Sequence, residues 1–265
     1  RDYPANAFTT SNSYVQNTWA ALYNAIYDAN DFIERLEAKM ITYNTEDQAL
    51  AKLYLAEARG LRALYYFELV RWYGHIALIT STSESYKNPE TFVQADPTDV
   101  YKYIENDLKY AIDVLPYATE DELRGDNKFR LSKGAVLGLL TRVYATWAGA
   151  PLKDTSKWEL AAQTASLLIN SGKQLWKNTC NGVWDPAESL IEVSFFAPTV
   201  TGSASEDPCG RIGKWNGVAV SEIEGKRASN SANVKVIHPF YLRWKEKEPN
   251  DLRRDLSIAN YKYAP

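Results

Sequence analysis

The chain has little of what most enzymes are built from. Its 265 residues include two histidines, two cysteines and one methionine. It contains no GxGxxG, P-loop, GxSxG or HExxH pattern, so none of the dinucleotide, phosphate-cradling, serine-hydrolase or zincin chemistries tied to those spacings can be placed on it. A metal site could draw only on His75, His238, the cysteines and carboxylates, at no diagnostic spacing. His75 follows Gly74 and His238 precedes Pro239, and both read as turn residues. The acidic run Glu120, Asp121 and Glu122 lacks the spacing of a calcium loop and reads as solvated. No metal or cofactor is expected. Charge of one sign is also missing. Thirty Lys and Arg stand against 33 Asp and Glu, a net charge of −3, and no dense basic run offers the footprint that nucleic acid demands. No apolar run approaches the roughly 20 residues of a membrane-spanning helix, and no signal peptide is visible. The chain begins at Arg1 without a methionine and reads as trimmed or cut from something longer. Cys180 and Cys209 either pair, closing a loop of about 30 residues worth roughly 3–4 kcal/mol, or remain thiols.

Aromatic residues are what the chain has in plenty: 8 Trp, 18 Tyr and 8 Phe. Many will pack helices together, but an excess of Tyr and Trp also suits partly wet binding surfaces, since each ring joins an apolar face to a polar edge. At 45% apolar the chain can bury a substantial core.

The organising stretch is Ala56 to Thr80. Leu53, Ala56, Gly60, Ala63, Leu64, Phe67 and Val70 recur at helical steps. Ala56, Gly60 and Ala63 are small enough for another helix to approach, and Tyr65, Tyr66 and Phe67 belong in packing. The period fails after Gly74, where Ile76, Leu78 and Ile79 form an extended exit. Four more helices follow the same logic. Tyr14 to about Lys39 carries one stripe, with Asn30 expected to bond a neighbouring element. Thr45 and Gln48 fit a capping box for the organising helix. Asp96 and Pro97 start a third helix ending before Pro116. Ser132 opens a fourth, stopped by Gly149 and Pro151. Ser156 and Glu159 fit another capping box, opening a fifth that closes at Gly172. Trp19, Trp72, Trp147 and Trp158 read as core. The expected fold is mainly α, with tetratricopeptide-like helical hairpins, long irregular loops and minor β. A single domain over 1–265 is expected, with a helical scaffold over 14–172 and a loop-rich part over 173–265. Ser189 to Phe196 is the best strand candidate, and 198–234 is too long to be a routine connector.

Several runs together resemble the SusD/RagB family, the glycan-binding outer-membrane lipoproteins of Bacteroidetes. The stretch AEARGLRALYYFELVRWYGHIALIT resembles its signature helix. Trp19, Leu22, Tyr23, Ile26, Asn30 and Ile33 look like its early helix. Ile104, Glu105, Asp107, Leu108, Ala111, Leu115 and Pro116 resemble its "I-E-x-D-L … A … LP" helix, and Arg130 to Tyr144 its next one. Glu188, Ile191, Glu192 and Phe195 resemble the family strand, and Asp251, Leu252 and Arg253 its D-x-R segment. Tyr73-Gly74-His75-Ile76-Ala77-Leu78 departs from the family's Y-G-G-V-P-L, lacking the second glycine and the proline. The family continues well past the D-x-R segment, so the chain reads as about its first half to two-thirds, without the lipidated N-terminal cysteine that would anchor it to the membrane.

The resemblance implies a non-catalytic protein on the outer-membrane surface. It would capture an oligosaccharide or other nutrient and deliver it to a SusC-type TonB-dependent transporter. Sugar hydroxyls would meet Asn, Asp, Arg and Gln, and the apolar sugar face would lie on Trp or Tyr. Trp215, in the glycine-rich loop after the strand, is the first candidate, with Arg211 and Asn216 as hydroxyl partners. Asn6 and Asn12, ahead of the early helix, are further candidates from the second loop region. Two other functions fit an all-helical chain: a tetratricopeptide-type adaptor holding a peptide in its groove, and an all-α glycoside hydrolase with two carboxylates across a cleft.

Overall fold

The computed structural model describes residues 9–85, 92–120, 130–173, 190, 220–223, 226–230, 236–251 and 254. The chain divides into two compact units, Arg1–Glu192 and Val193–Pro265. The first holds α1 (Ser13–Met40), α2 (Thr45–Tyr73), the single turn α3 (Thr82–Ser85), α4 (Pro97–Val114), α5 (Lys133–Ala148) and α6 (Lys157–Asn170). The second holds the antiparallel pair β1 (Val220–Ile223) and β2 (Lys226–Asn230), followed by α7 (His238–Lys247).

The long helices stack in chain order: α1 packs on α2, α2 on α4, α4 on α5 and α5 on α6. This is the mainly helical, hairpin-stacked architecture that the periodicities predict. The small residues of α2 allow the stacking. Ala56 and Ala63 are fully buried. A Cβ placed on Gly60 would stand 2.8 Å from Leu131 Cδ1, and Ala111 of α4 and Val136 of α5 lie just beyond. Tyr66 and Phe67 fill the space on either side and have no exposure, as their place in the stripe requires.

Cap chemistry sets most helix boundaries. Asp96 Oδ1 accepts from Thr98 N at 2.7 Å, one residue ahead of Pro97. Ser132 Oγ accepts from Ala135 N at 3.3 Å. Two expected capping boxes do not form. At α2 the cap is Asn44, whose Oδ1 accepts from Asp47 N, while Gln48 Nε2 reaches back to Tyr43 O. Asn44 and Thr45 are both oxygen-bearing, and the stronger cap type wins by one position. At α6 Ser156 is already helical and makes no side-chain cap bond. Asp154 accepts from the Ser156 amide at 3.2 Å instead.

A buried polar network ties α1, α2, α4 and the exit of α2 together. Arg62 donates through Nε and Nη2 to the two oxygens of Asp107 at 2.8 and 2.9 Å, and through Nη1 to Asn30 Oδ1 at 2.7 Å. Burial works against the Arg62 charge, but the Asp107 carboxylate outweighs it and holds the guanidinium above its ordinary value. Asn30 has no exposure and passes its Nδ2–H to Ile79 O at 3.0 Å, the neighbouring-element bond its position predicts. Tyr66 OH donates to Ile79 O and accepts from Ile79 N, at 2.6 and 2.9 Å. Tyr23 OH donates to Ala77 O at 2.8 Å, and burial pushes that phenol up to about 12. Side chains thereby satisfy backbone groups of an exit segment that, among the described residues, pairs in one bridge, at Ala77 with Gln94. The turn into it needs Gly74, whose φ of +73° disfavours any side chain. The missing second glycine and proline leave the exit intact.

Some expectations change. Trp147 is buried, but Trp72 and Trp158 are 67% and 51% exposed, so neither belongs to the core. The β1–β2 hairpin lies inside 198–234, the stretch too long for a routine connector. Of the strand candidate Ser189 to Phe196, only Leu190 is among the described residues. Its side chain sits against α5, where a Cβ on Gly138 would meet it at 2.8 Å.

Candidate functional site

Trp215, Arg211, Asn216 and Asn6 lie outside the described residues. The fifth candidate, Asn12, is the N-cap of α1. Its Oδ1 accepts from Tyr14 N at 3.0 Å and from Val15 N at 3.4 Å. The loop it closes is rich in hydroxyl and amide groups. Thr9 and Ser11 hydroxyls bond each other at 2.8 Å, and Gln16 Nε2 donates to Thr10 O at 3.1 Å. Tyr14, the second residue of α1, is 71% exposed. A polar loop is thus held on a capped helix end with an aromatic ring facing solvent.

The end of α2 supports that loop. Tyr73 OH donates to Val15 O at 2.7 Å, and Trp19 packs edge-on against Tyr73 with centroids 4.8 Å apart. These contacts lock the last turn of α2 beside the first turn of α1. Trp72, next to Tyr73, projects away from the core. Its indole N–H donates to Glu68 Oε2 at 3.1 Å, while Glu68 Oε1 accepts from Arg71 Nη1 at 2.9 Å. The spacing contained a warning. Trp72 follows Val70 by two residues, about 200° round the helix from the buried stripe. Tyr14 carried no such signal, because the first turn of an amphipathic helix need not be covered.

Elsewhere in the first unit, the buried carboxylates among the described residues are matched. Among the described residues the buried ones are Glu105 and Asp107, both on α4. Glu105 accepts from Tyr144 OH, Lys109 Nζ and Lys157 Nζ at 2.8, 2.6 and 3.2 Å. Burial raises its proton affinity, but those three donors together hold the carboxyl below its ordinary range. Asp107 is committed to Arg62. Both buried carboxylates are thus taken up in ion pairs within the helix stack. Between α1 and α2 a shallow groove of about 360 Å³ is walled by Phe32, Tyr54, Leu61 and Tyr65.

In the second unit, Asp251 of the D-x-R segment accepts from Trp244 Nε1 at 3.1 Å, folding the segment back on α7. Leu252 and Arg253 lie outside the described residues. The buried arginine there is Arg254, which donates to the carbonyls of Glu248 and Pro249 at 3.0 and 3.2 Å.

Comparison with known proteins agrees with this architecture. A SusD-like family model described as "Starch-binding associating with outer membrane" matches residues 3–145, more than half of the chain. The crystal structure of a SusD homolog from Bacteroides thetaiotaomicron is similar over 98% of this chain and 50% of its own, with 59% identity and a TM-score of 0.88. A SusD-like protein of Bacteroides ovatus is 28% identical over 222 residues, 74% of this chain and 39% of that protein. A laminarin-binding SusD-like protein matches 90% of this chain and 51% of its own, at 25% identity and a TM-score of 0.68. The chain therefore spans about half the length of these relatives or less. With a family match over more than half its residues and the stacked helices in the expected order, the chain belongs to the SusD-like family.

Proposed function

We propose that this protein binds oligosaccharides at the outer-membrane surface and passes them to a SusC-type TonB-dependent transporter without cleaving them. The observation that carries the reading is the family match, whose description is starch binding at the outer membrane, joined to a structural relative that binds laminarin. The helical stack serves as scaffold, and ligand contacts fall to loops held on it. Trp215 is assigned the stacking role, with Arg211 and Asn216 as hydroxyl partners. Asn6 and Asn12 contribute from the loop before α1. Asn12 can do so only with the polar capacity that its helix cap leaves over.

Calorimetric titration of the protein with soluble starch and laminarin, extended to a glycan array, tests this. Binding is expected, with no new reducing ends on prolonged incubation. Trp215→Ala or Arg211→Ala should weaken it by at least about fivefold, the loss typical of truncating an anchor. Retention of full affinity in both variants removes the site assignment. Peptide binding without any glycan binding replaces the function with the adaptor reading, and released reducing sugar replaces it with the hydrolase reading.

A further inference from the structure

We propose that Trp72, at the end of α2, is a second aromatic platform for a sugar ring, distinct from Trp215. It rests on the glycan-binding reading and adds a place to it.

The Trp72 indole is 67% open to solvent, against 37% for Tyr54, the other exposed aromatic of α2. Trp72 is not merely exposed; it is held in place. Glu68, one turn back, accepts the indole N–H and is itself fixed by Arg71. The Arg71 guanidinium in turn lies over the buried Phe67 ring, 5.1 Å from its centroid. This chain of contacts runs from the core to the indole and restrains its rotation. With its N–H committed, the ring has one thing left to offer, its flat apolar face.

The groups beside that face suit a polyol. A guanidinium carries five N–H donors, and Arg71 uses one of them on Glu68. Each Glu68 oxygen keeps a further lone pair, and His75 is exposed just beyond the turn. Donors and acceptors fixed at the edge of an aromatic plane match a pyranose, whose axial C–H face stacks while vicinal hydroxyls bond outward. The Glu68–Arg71 pair cancels its own charge, so the platform favours a neutral sugar over an ion. Its location supports the same role. The Tyr73–Val15 bond places the last turn of α2 beside the loop that Asn12 closes, so one glycan chain can meet both.

The test uses soluble starch and laminarin first, then an array of α- and β-linked glucans, mannans and xylans. Trp72→Ala is expected to weaken binding by at least about fivefold, and Trp72→Phe, which keeps a flat ring, to stay within about twofold of the unaltered protein. Circular dichroism of both variants should match the parent, since the ring is outside the core. Bound glycan should also slow N-bromosuccinimide oxidation at Trp72, read by mass spectrometry. If the parent binds a glycan while Trp72→Ala binds it equally well, the platform falls and the glycan function stands. If the parent binds no member of the array, the functional reading falls and takes the platform with it.

Discussion

Trp147 closes α5 and Trp158 opens α6, yet the first is 3% exposed and the second 51%. Between them sits Lys157, the charged neighbour of Trp158, with only 13% of its side chain exposed. The lysine is inside and the tryptophan outside, the reverse of what hydrophobicity alone would order. Partners explain it. Lys157 finds Glu105 at 3.2 Å and the face of Trp147 at 3.8 Å, so its charge is compensated twice. Trp158 stands on a helix that, among the described residues, packs mainly against α5, reaching α4 through the Lys157–Glu105 bond. Burial follows from what the next element offers, and a helix at the end of a stack has half the offers of one in its middle. α2, in the middle, buries eleven residues, and α6 buries two.

The largest effect should come from Trp147. Its ring lies against Tyr101 with centroids 5.3 Å apart, and Lys157 covers it. Trp147→Ala is expected to cost about 3–5 kcal/mol, the range for emptying a large core site, measured by urea unfolding. A loss below about 1 kcal/mol, the size of a surface change, would mean that α5 and α6 close over the gap and that the contrast between the two tryptophans is overdrawn.

Glu105 sharpens the same comparison from the charged side. Burial opposes its ionisation, but Lys109, Tyr144 and Lys157 hold its carboxyl below the ordinary value of 4.5. A carboxyl lowered in the folded state stabilises above its unfolded value and loses that contribution as pH falls through its folded one. The native protein should therefore exceed Glu105→Gln in stability at pH 7, with the gap shrinking as the pH drops below about 4.5. Unfolding midpoints of the two proteins across pH 3 to 7 read this directly. A gap that stays constant would make the Lys157 position a matter of shape, not charge.

How much of this was legible depended on how local the cause was. Asp96-Pro97 and Ser132 announced helix starts because a cap is made within three residues. Asn44 took the place assigned to Thr45 because both can cap, and spacing alone did not choose. Asn30 was readable as a buried bonding group, since a lone amide in an apolar stripe needs a partner. Its partners were not readable: Arg62 and Asp107 lie far along the chain, and nothing in either helix names the other. The site divides in the same way. A capped polar loop before α1 follows from composition, but the Glu68–Arg71 hold on Trp72 needs the helix built before it can be seen. Trp72 lay off the stripe, and the aromatic residues around it drew it wrongly into the core.

The smallest expected effect completes the comparison. Trp158→Ala should change stability by no more than about 0.5 kcal/mol, as for an exposed position away from special features. Half the ring is already in water, and among the described residues its side chain makes no hydrogen bond or ring contact. Helix propensity slightly favours alanine at that first turn, which offsets part of the packing lost against α5. Measured beside Trp147→Ala in the same urea series, the two substitutions remove the same atoms from adjoining helices. The difference between them therefore isolates what the middle of the stack contributes. Were Trp158→Ala to cost about 2 kcal/mol or more, its ring would be covered in solution, and the contrast with Trp147 would fall.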